Sequence, residues 1–137
     1  ARLEIPLLTE NEFKLAGLML YWAEGNKKNR VGISNSDPEL IRFMMGWFRK
    51  ICNIPDKRFK PHLNIHSGQD GFKMKKFWSN IIKLPVSQFG KSYIKNEGTG
   101  HRKNILYNGT IKIEICDKNL LYRILGWIEG VIKKKGH

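Results

Sequence analysis

Apolar residues follow one another along the first part of the chain and predict a helix over residues 10–24. Thr9 is suited to cap its start, the stretch from Leu15 to Ala23 is unbroken apolar, and Gly25 closes it. A short helix that is apolar on all sides must be covered from more than one direction. One side can pack on the chain's own sheet, and the other side needs a second partner.

The remaining elements follow from two alternating periods of hydrophobic and polar positions. A turn and capping segment at residues 35–38 precedes helical spacing that continues to about Ile51. Helical spacing returns twice, over residues 70–82 and 117–134. Period-two alternation predicts strands over residues 30–34, 58–66, 91–95 and 110–115, and a basic, glycine-containing loop over 96–104.

This order predicts an α+β fold whose sheet has helices on one face and a polar, basic face left open. The strand over 58–66 shows the pattern best, since Phe59, Leu63 and Ile65 alternate with polar or basic residues. No internal repeat and no long linker divides the chain. We therefore expect residues 1–137 to form one domain.

The charge of the chain narrows its partners. The sequence has 25 Lys plus Arg against 12 Asp plus Glu, a net charge of +13, and residues 57–112 carry a net +10 of it. A solvated face kept for solubility remains an alternative, but aromatic residues among the charges favour a surface for a polyanion, nucleic acid first. No apolar run approaches a membrane span, so no membrane partner is expected. Two lone cysteines and the missing secretory signal favour a reducing, cytoplasmic location.

A single acid at the end of the first helix is the most informative chemical feature. Glu24 stands where the helix dipole disfavours an anion and where the last carbonyl groups have no intrahelical donor. A bound cation would offset that cost. A carboxylate beside free carbonyl oxygens indicates a site for a hard divalent cation.

Residues Gly17–Gly25, with the ending Ala23-Glu24-Gly25, resemble the nine-residue motif of the LAGLIDADG homing endonucleases. The passage from Val31 to Leu40, with Asn35-Ser36-Asp37-Pro38, is also similar to the family's strand-to-helix connection. The resemblance is good over residues 13–53 and weaker beyond. Two positions depart from the family pattern: Met19 replaces a small residue, and Trp22 replaces a polar one.

The resemblance implies a DNA endonuclease that makes a double-strand break as a homodimer, because single-motif members of the family pair through this helix. The implied fold is αββαββα-like with an extra helix and an antiparallel, saddle-shaped sheet. The implied catalytic and metal ligand is Glu24, helped by the Ala23 carbonyl, with Mg²⁺, Mn²⁺ or Ca²⁺ as cofactor. The helix interface would use Ala16, Gly17, Leu20 and Ala23.

The partner would be double-stranded DNA lying in the open strand face. Basic and polar residues of the strands and turns would contact bases and phosphates. They are Lys27, Lys28, Arg30, Ser34, Arg58, Lys60, His62, Asn64, His66, Lys91, Lys95, Arg102, Lys103, Thr110 and Lys112.

Several alternatives stay open. His62 and His66 could ligate a metal, with His101 as a distant third ligand, rather than face DNA. The tryptophans Trp47, Trp78 and Trp127 are predicted to be core or interface residues, and Cys52 a buried one. At the level of function, the alternatives are a non-cleaving DNA-binding regulator, an intron-RNA-binding splicing helper (maturase), and an unrelated basic protein of ribosomes or other anionic surfaces.

Overall fold

A computed structural model describes residues 1–95, 108–134 and 136. Its four α-helices and four strands follow the order αβαβαββα. They are α1 (Glu10–Glu24), β1 (Val31–Asn35), α2 (Pro38–Lys50), β2 (Phe59–His66), α3 (Gly71–Ile82), β3 (Tyr93–Lys95), β4 (Thr110–Ile115) and α4 (Lys118–Lys133). Short 3₁₀ turns lie at Arg2–Glu4, Asp56–Arg58 and Val86–Gln88.

Side-chain caps explain where the helices begin. The Thr9 hydroxyl accepts from the Glu12 backbone N–H, and the Glu12 side chain accepts from the Thr9 N–H, which completes a capping box. The carboxylates of Asp37, Asp70 and Asp117 accept from backbone N–H groups in the first turn of the three later helices. The predicted helices are therefore confirmed to within a residue or two of each start.

The strands form one mixed sheet in the order β1-β4-β2-β3. β4 lies antiparallel between β1 and β2, but β3 runs parallel to β2. The predicted all-antiparallel sheet is therefore wrong at β3. The physical reason is that α3 lies between β2 and β3 and works as a crossover connection, which returns the chain in the same direction. The order of the described elements is αββαββα with one extra helix, since α2 is inserted between β1 and β2.

Burial along the strands shows which face of the sheet the helices cover. Ile111, Ile113 and Ile115 of β4 are buried, whereas the residues between them are half-exposed. The same alternation runs through most of β2. Buried side chains from all four helices join these strand residues in one continuous cluster. The α+β class, with one covered and one open face, is confirmed.

Trp47 joins α1, α2 and α4 in this core. Its Nε1 donates to the Lys14 carbonyl at 2.9 Å, and its ring meets that of Trp127 at a centroid distance of 6.2 Å. Gly17 gives the Trp47 ring room, because a Cβ at that position would overlap it. Gly17 is therefore buried within the chain, and its assignment to the interface with a second copy is corrected.

Replacing Gly17 by alanine tests this packing. We expect Gly17→Ala to lower the free energy of unfolding by about 1–3 kcal/mol, because the added methyl group must displace a fully buried indole. Gly126 offers the matched control, since it lies inside α4 and, apart from the helix's own backbone and the adjacent residues, nothing lies within 4 Å of its Cβ position. Gly126→Ala should instead raise the free energy of unfolding by about 0.5–1 kcal/mol, because alanine favours a helix interior more than glycine does. Denaturant titrations measure both, and equal effects of the two changes would contradict the packing role.

Candidate nucleic-acid interface

Strand register places the polar residues of the open face in rows that cross the sheet. Because side chains alternate between faces, partners at matching positions share one side. Three rows result: Gly32–Glu114–Lys60, Ser34–Lys112–His62 and Thr110–Asn64–Tyr93. Ser34, Lys60 and Asn64 are exposed, while His62, Thr110 and Lys112 are half-buried. The structure thus brings most of the strand residues predicted to contact DNA onto one surface.

A carboxylate, Glu114, lies in the middle of this basic surface. Its oxygens are 3.7 Å from Arg30 Nη1, 3.8 Å from His62 Nε2 and 3.7 Å from Lys112 Nζ. The Glu114 side chain is only 14% exposed, so these contacts are better shielded from water than ordinary surface ion pairs. Glu114 therefore orients two cations, Arg30 and Lys112, and the His62 imidazole on the open face. The alternation of β4 already indicated that Glu114 faces the open side. Glu114 was not among the residues predicted to contact DNA, because it carries a negative charge.

His62 is held in place by its neighbours. Its Nδ1 lies 3.3 Å from the Lys91 carbonyl oxygen, and its ring centroid is 6.0 Å from that of Tyr93. Gly90 packs against the ring, and a Cβ there would overlap it. Tyr93 itself is exposed on the open face beside Asn64 and adds an aromatic contact that was not among the predicted site residues.

His66 differs from its prediction as an exposed residue. It is buried, 8% exposed, because the chain turns back at the end of β2. The His66 N–H donates to Gln69 Oε1 at 2.7 Å, and the Gln69 N–H donates to the His66 carbonyl at 3.1 Å. Within residues 1–95 and 108–134, no three His, Cys, Asp or Glu side chains form a group suited to a metal ion. The suggested third ligand, His101, lies outside the described residues.

The remaining predicted contacts surround the sheet. Exposed cations lie at its rim: Lys27, Lys28, Arg30, Lys91 and Lys95. Arg58 is also exposed, but it turns toward the β4–α4 connection, where its Nη1 is 4.0 Å from Asp117 Oδ2 and 3.4 Å from the Cys116 carbonyl. Arg102 and Lys103 lie outside the described residues.

Tyr21 fastens the end of α1 to β1. Its hydroxyl donates to the Asn26 carbonyl and accepts the Gly32 N–H at 3.2 Å. Burial raises the pKa of Tyr21 to about 12, so the hydroxyl keeps the proton that it donates. Gly25 packs on the Tyr21 ring, where a Cβ would come within 2.6 Å of ring atoms. Tyr21 thus positions the turn after Glu24. In the sequence, only its spacing of four residues from Gly25 pointed to this role.

Oxygen atoms suited to a hard cation lie at this helix end. Glu24 is exposed, and among the described residues no N–H donates to the Ala23 carbonyl. The Gly25 carbonyl is already taken by Lys27 Nζ at 2.8 Å. A carboxylate and a carbonyl fit Mg²⁺, Mn²⁺ or Ca²⁺, but they are only part of the six or more oxygens such ions take. The other ligands would have to come from water, a phosphate or a second protein chain.

The outer side of α1 is apolar and open. Trp22 is 41% and Leu15 42% exposed, Ala23 is exposed, and Ala16 and Leu20 are half-buried. The segment before α1 adds further exposed apolar side chains, at Leu3, Ile5, Leu7 and Leu8. Apart from Gly17, the predicted interface residues therefore reach the surface. The sequence reasoning missed Leu15 and Trp22, which are the larger apolar contacts there.

In comparisons with known proteins, no family model and no curated sequence matches the chain. Across the helices that the structure describes, none is long and apolar enough to cross a membrane.

The role of Glu114 can be tested with duplex DNA. Glu114→Gln should free Arg30 and Lys112 from their ion pairs. For duplex DNA on the open face, as the sequence predicts, we expect tighter binding and a steeper salt dependence, by roughly 0.9 in the log–log slope per cation freed for a phosphate. Fluorescence anisotropy across a salt series measures this.

Glu129→Gln is the matched control for Glu114→Gln. It makes the same charge change at an exposed ion pair with Lys133 on α4. Equal tightening by both variants would show an effect of net charge alone, and weaker binding by Glu114→Gln would contradict the proposed release.

Proposed function

We propose that this protein is a DNA endonuclease that acts as a homodimer and cleaves duplex DNA with a divalent cation. One observation carries the proposal: an exposed acid, Glu24, ends α1 beside an open sheet face that carries Lys60, Lys112 and the Asn64 amide. Further exposed cations surround this face. The bridge between Gly25 and Ile33 and the hydrogen bonds of Tyr21 tie this helix end to β1. The resemblance of Gly17–Gly25 to the LAGLIDADG motif agrees with this arrangement.

The chemistry of the open face suits the major groove of DNA. Lys60 and Lys112 can donate to guanine, and the exposed amide of Asn64 can pair with adenine. The methyl group of Thr110 can contact thymine. Rim cations such as Lys28 and Lys91 would contact phosphates, and such contacts position a protein on DNA without reading its sequence.

Two copies explain features that one copy leaves incomplete. A single chain offers one carboxylate and one free carbonyl at the helix end, and it has an open apolar stripe at Leu15 and Trp22. Pairing two α1 helices about a two-fold axis would cover that stripe and set one Glu24 against each DNA strand. Ala16 and Ala23, with small side chains on the open side, would allow the two helices to approach.

The chain's own groups would divide the work at the cleavage site. Glu24 and the Ala23 carbonyl would hold the cation, and Lys27, anchored on the Gly25 carbonyl, would add positive charge beside the phosphate. When bound, the cation supplies activation of water and stabilisation of the charge that develops on the phosphate. Tyr21 would keep the carboxylate at a constant distance from the sheet.

Cleavage is tested with a randomised duplex library incubated with the protein and Mg²⁺. We expect double-strand breaks at preferred sequences, and we expect Glu24→Gln to lower the rate about 100-fold or more, because the neutral amide holds a divalent cation poorly. Glu129→Gln, another exposed acid on a helix, should cleave like the wild type.

Two results would contradict the endonuclease proposal. One is equal cleavage by Glu24→Gln and wild type, which would remove Glu24 from the site. The other is specific DNA binding without cleavage in any divalent cation, which would favour the non-cleaving regulator. Tight binding of structured RNA with no binding of duplex DNA would favour the splicing helper instead.

Association is tested by sedimentation equilibrium. We expect a dimer at micromolar concentration and a shift to monomer in Trp22→Glu, because a buried charge without a partner disfavours the helix interface. Phe72→Glu is the matched control, since Phe72 is 65% exposed on α3, away from the proposed contact. A monomeric wild type, or equal dissociation of both variants, would overturn pairing through α1.

A further inference from the structure

A second cationic surface lies outside the rows of the open face. We name it the α4 groove, a cavity of about 580 Å³ between the segment that precedes β1 and the first half of α4. It is lined by Lys27, Lys28, Arg30, Lys118, Leu121 and Tyr122, among others. Its volume falls in the range of sites that hold a small organic ligand.

The positive charge of the α4 groove favours an anionic ligand. Four of its lining residues are cations, and no acidic residue lines it. Arg30 has Glu114 at 3.7 Å, and Lys27 Nζ donates to the Gly25 carbonyl. In the described part of the chain, no carboxylate lies within 4.0 Å of the amino groups of Lys28 and Lys118. These two side chains can therefore take a phosphate without breaking an existing ion pair.

The exposed ring of Tyr122 favours an anion that also carries an aromatic group. Its side chain is 73% exposed, and it lies one turn after Lys118 on the same side of α4. Leu121, which is buried, supplies an apolar floor beside it. A duplex would use only the cations of such a groove, because its bases are stacked on one another. An unpaired nucleotide can also stack its base on an exposed aromatic ring, with its phosphates on the flanking cations.

We propose that the α4 groove binds an unpaired nucleotide segment of a nucleic acid. The base would stack on Tyr122, and the flanking phosphates would pair with Lys28 and Lys118. This binding uses neither Glu24 nor the rows of the open face, and it shares only the rim cation Lys28 with the proposed duplex contacts. It therefore goes beyond the duplex cleavage proposed above and does not depend on it. DNA and RNA share the chemistry that the groove recognises, and the experiment separates them.

The test uses fluorescence anisotropy with labelled eight-nucleotide oligo-dT and oligo-U and the intact chain. We expect Tyr122→Ala to weaken binding about tenfold, from lost stacking, and Tyr122→Phe to retain it. Lys118→Ala should weaken binding and reduce the salt slope by roughly 0.7. Lys133→Ala, a cation at the other end of α4, should bind like the wild type. Preference for one oligonucleotide assigns the groove to DNA or to RNA.

Tyr93 provides the matched aromatic control, since it is 55% exposed on the open face. Loss of oligonucleotide binding in Tyr93→Ala but not in Tyr122→Ala would overturn the proposal. So would equal weakening by Lys118→Ala and Lys133→Ala. Circular dichroism of each variant checks that these exposed substitutions leave the fold intact.

The two proposals can fail separately. Glu24→Gln should lower the cleavage rate about 100-fold or more and leave oligonucleotide binding intact. Tyr122→Ala should weaken oligonucleotide binding about tenfold and leave cleavage intact. If the protein does not cleave DNA but binds oligonucleotides in a way that depends on Tyr122, the groove proposal stands and the nuclease proposal fails. If the protein cleaves DNA and Tyr122→Ala does not change oligonucleotide binding, the nuclease proposal stands and the groove proposal fails.

Discussion

The hydroxyl of Tyr21 determines where the first helix ends relative to the sheet. One oxygen donates to the Asn26 carbonyl and accepts from the Gly32 N–H, so it closes the link between α1 and β1 from both sides. Gly25 must lack a side chain for the ring to fit. The exposed acid, the turn with Lys27 and the first strand are therefore positioned together. The proposed cation site and the α4 groove both use this fastened segment.

The packing of α1 divides that helix into two functional sides. Gly17, Leu18 and Tyr21 face the core and are buried, and the Trp47 ring packs into the space above Gly17. The tightness of that contact fixes the rotation of the helix about its axis. Leu15 and Trp22 are consequently directed away from the core. An apolar helix with one filled side and one open side suits a protein that completes its packing with another molecule.

Local chemistry made much of this fold predictable from the sequence. Capping residues such as Thr9 and Asp37 bind backbone groups only two or three positions away. The alternation of β4 requires only that one face of the strand meets water and the other meets the core. Long-range placement was not predictable in the same way. The parallel pairing of β3 depends on the path of α3, and the burial of His66 depends on a turn three residues further on.

The same limit applies to the candidate site. Glu24 could be selected because an acid at a helix end is unusual by itself. Glu114 and Tyr21 could not, because their importance comes from partners on other elements. The two cations and the imidazole around Glu114 are brought together only by the register of three strands and the end of a loop.

The segment after α1 also protects an edge of the sheet. Its Asn26 N–H donates to the Gly32 carbonyl at 2.8 Å, and Gly25 bridges Ile33, so part of the outer side of β1 already has backbone partners. An unpaired strand edge invites another strand to add to it, and a covered edge does not. Two copies of this chain are therefore disfavoured from joining their sheets through the β1 edge. Any association on this side is left to the side chains of the helices, where shape and sequence can make it selective.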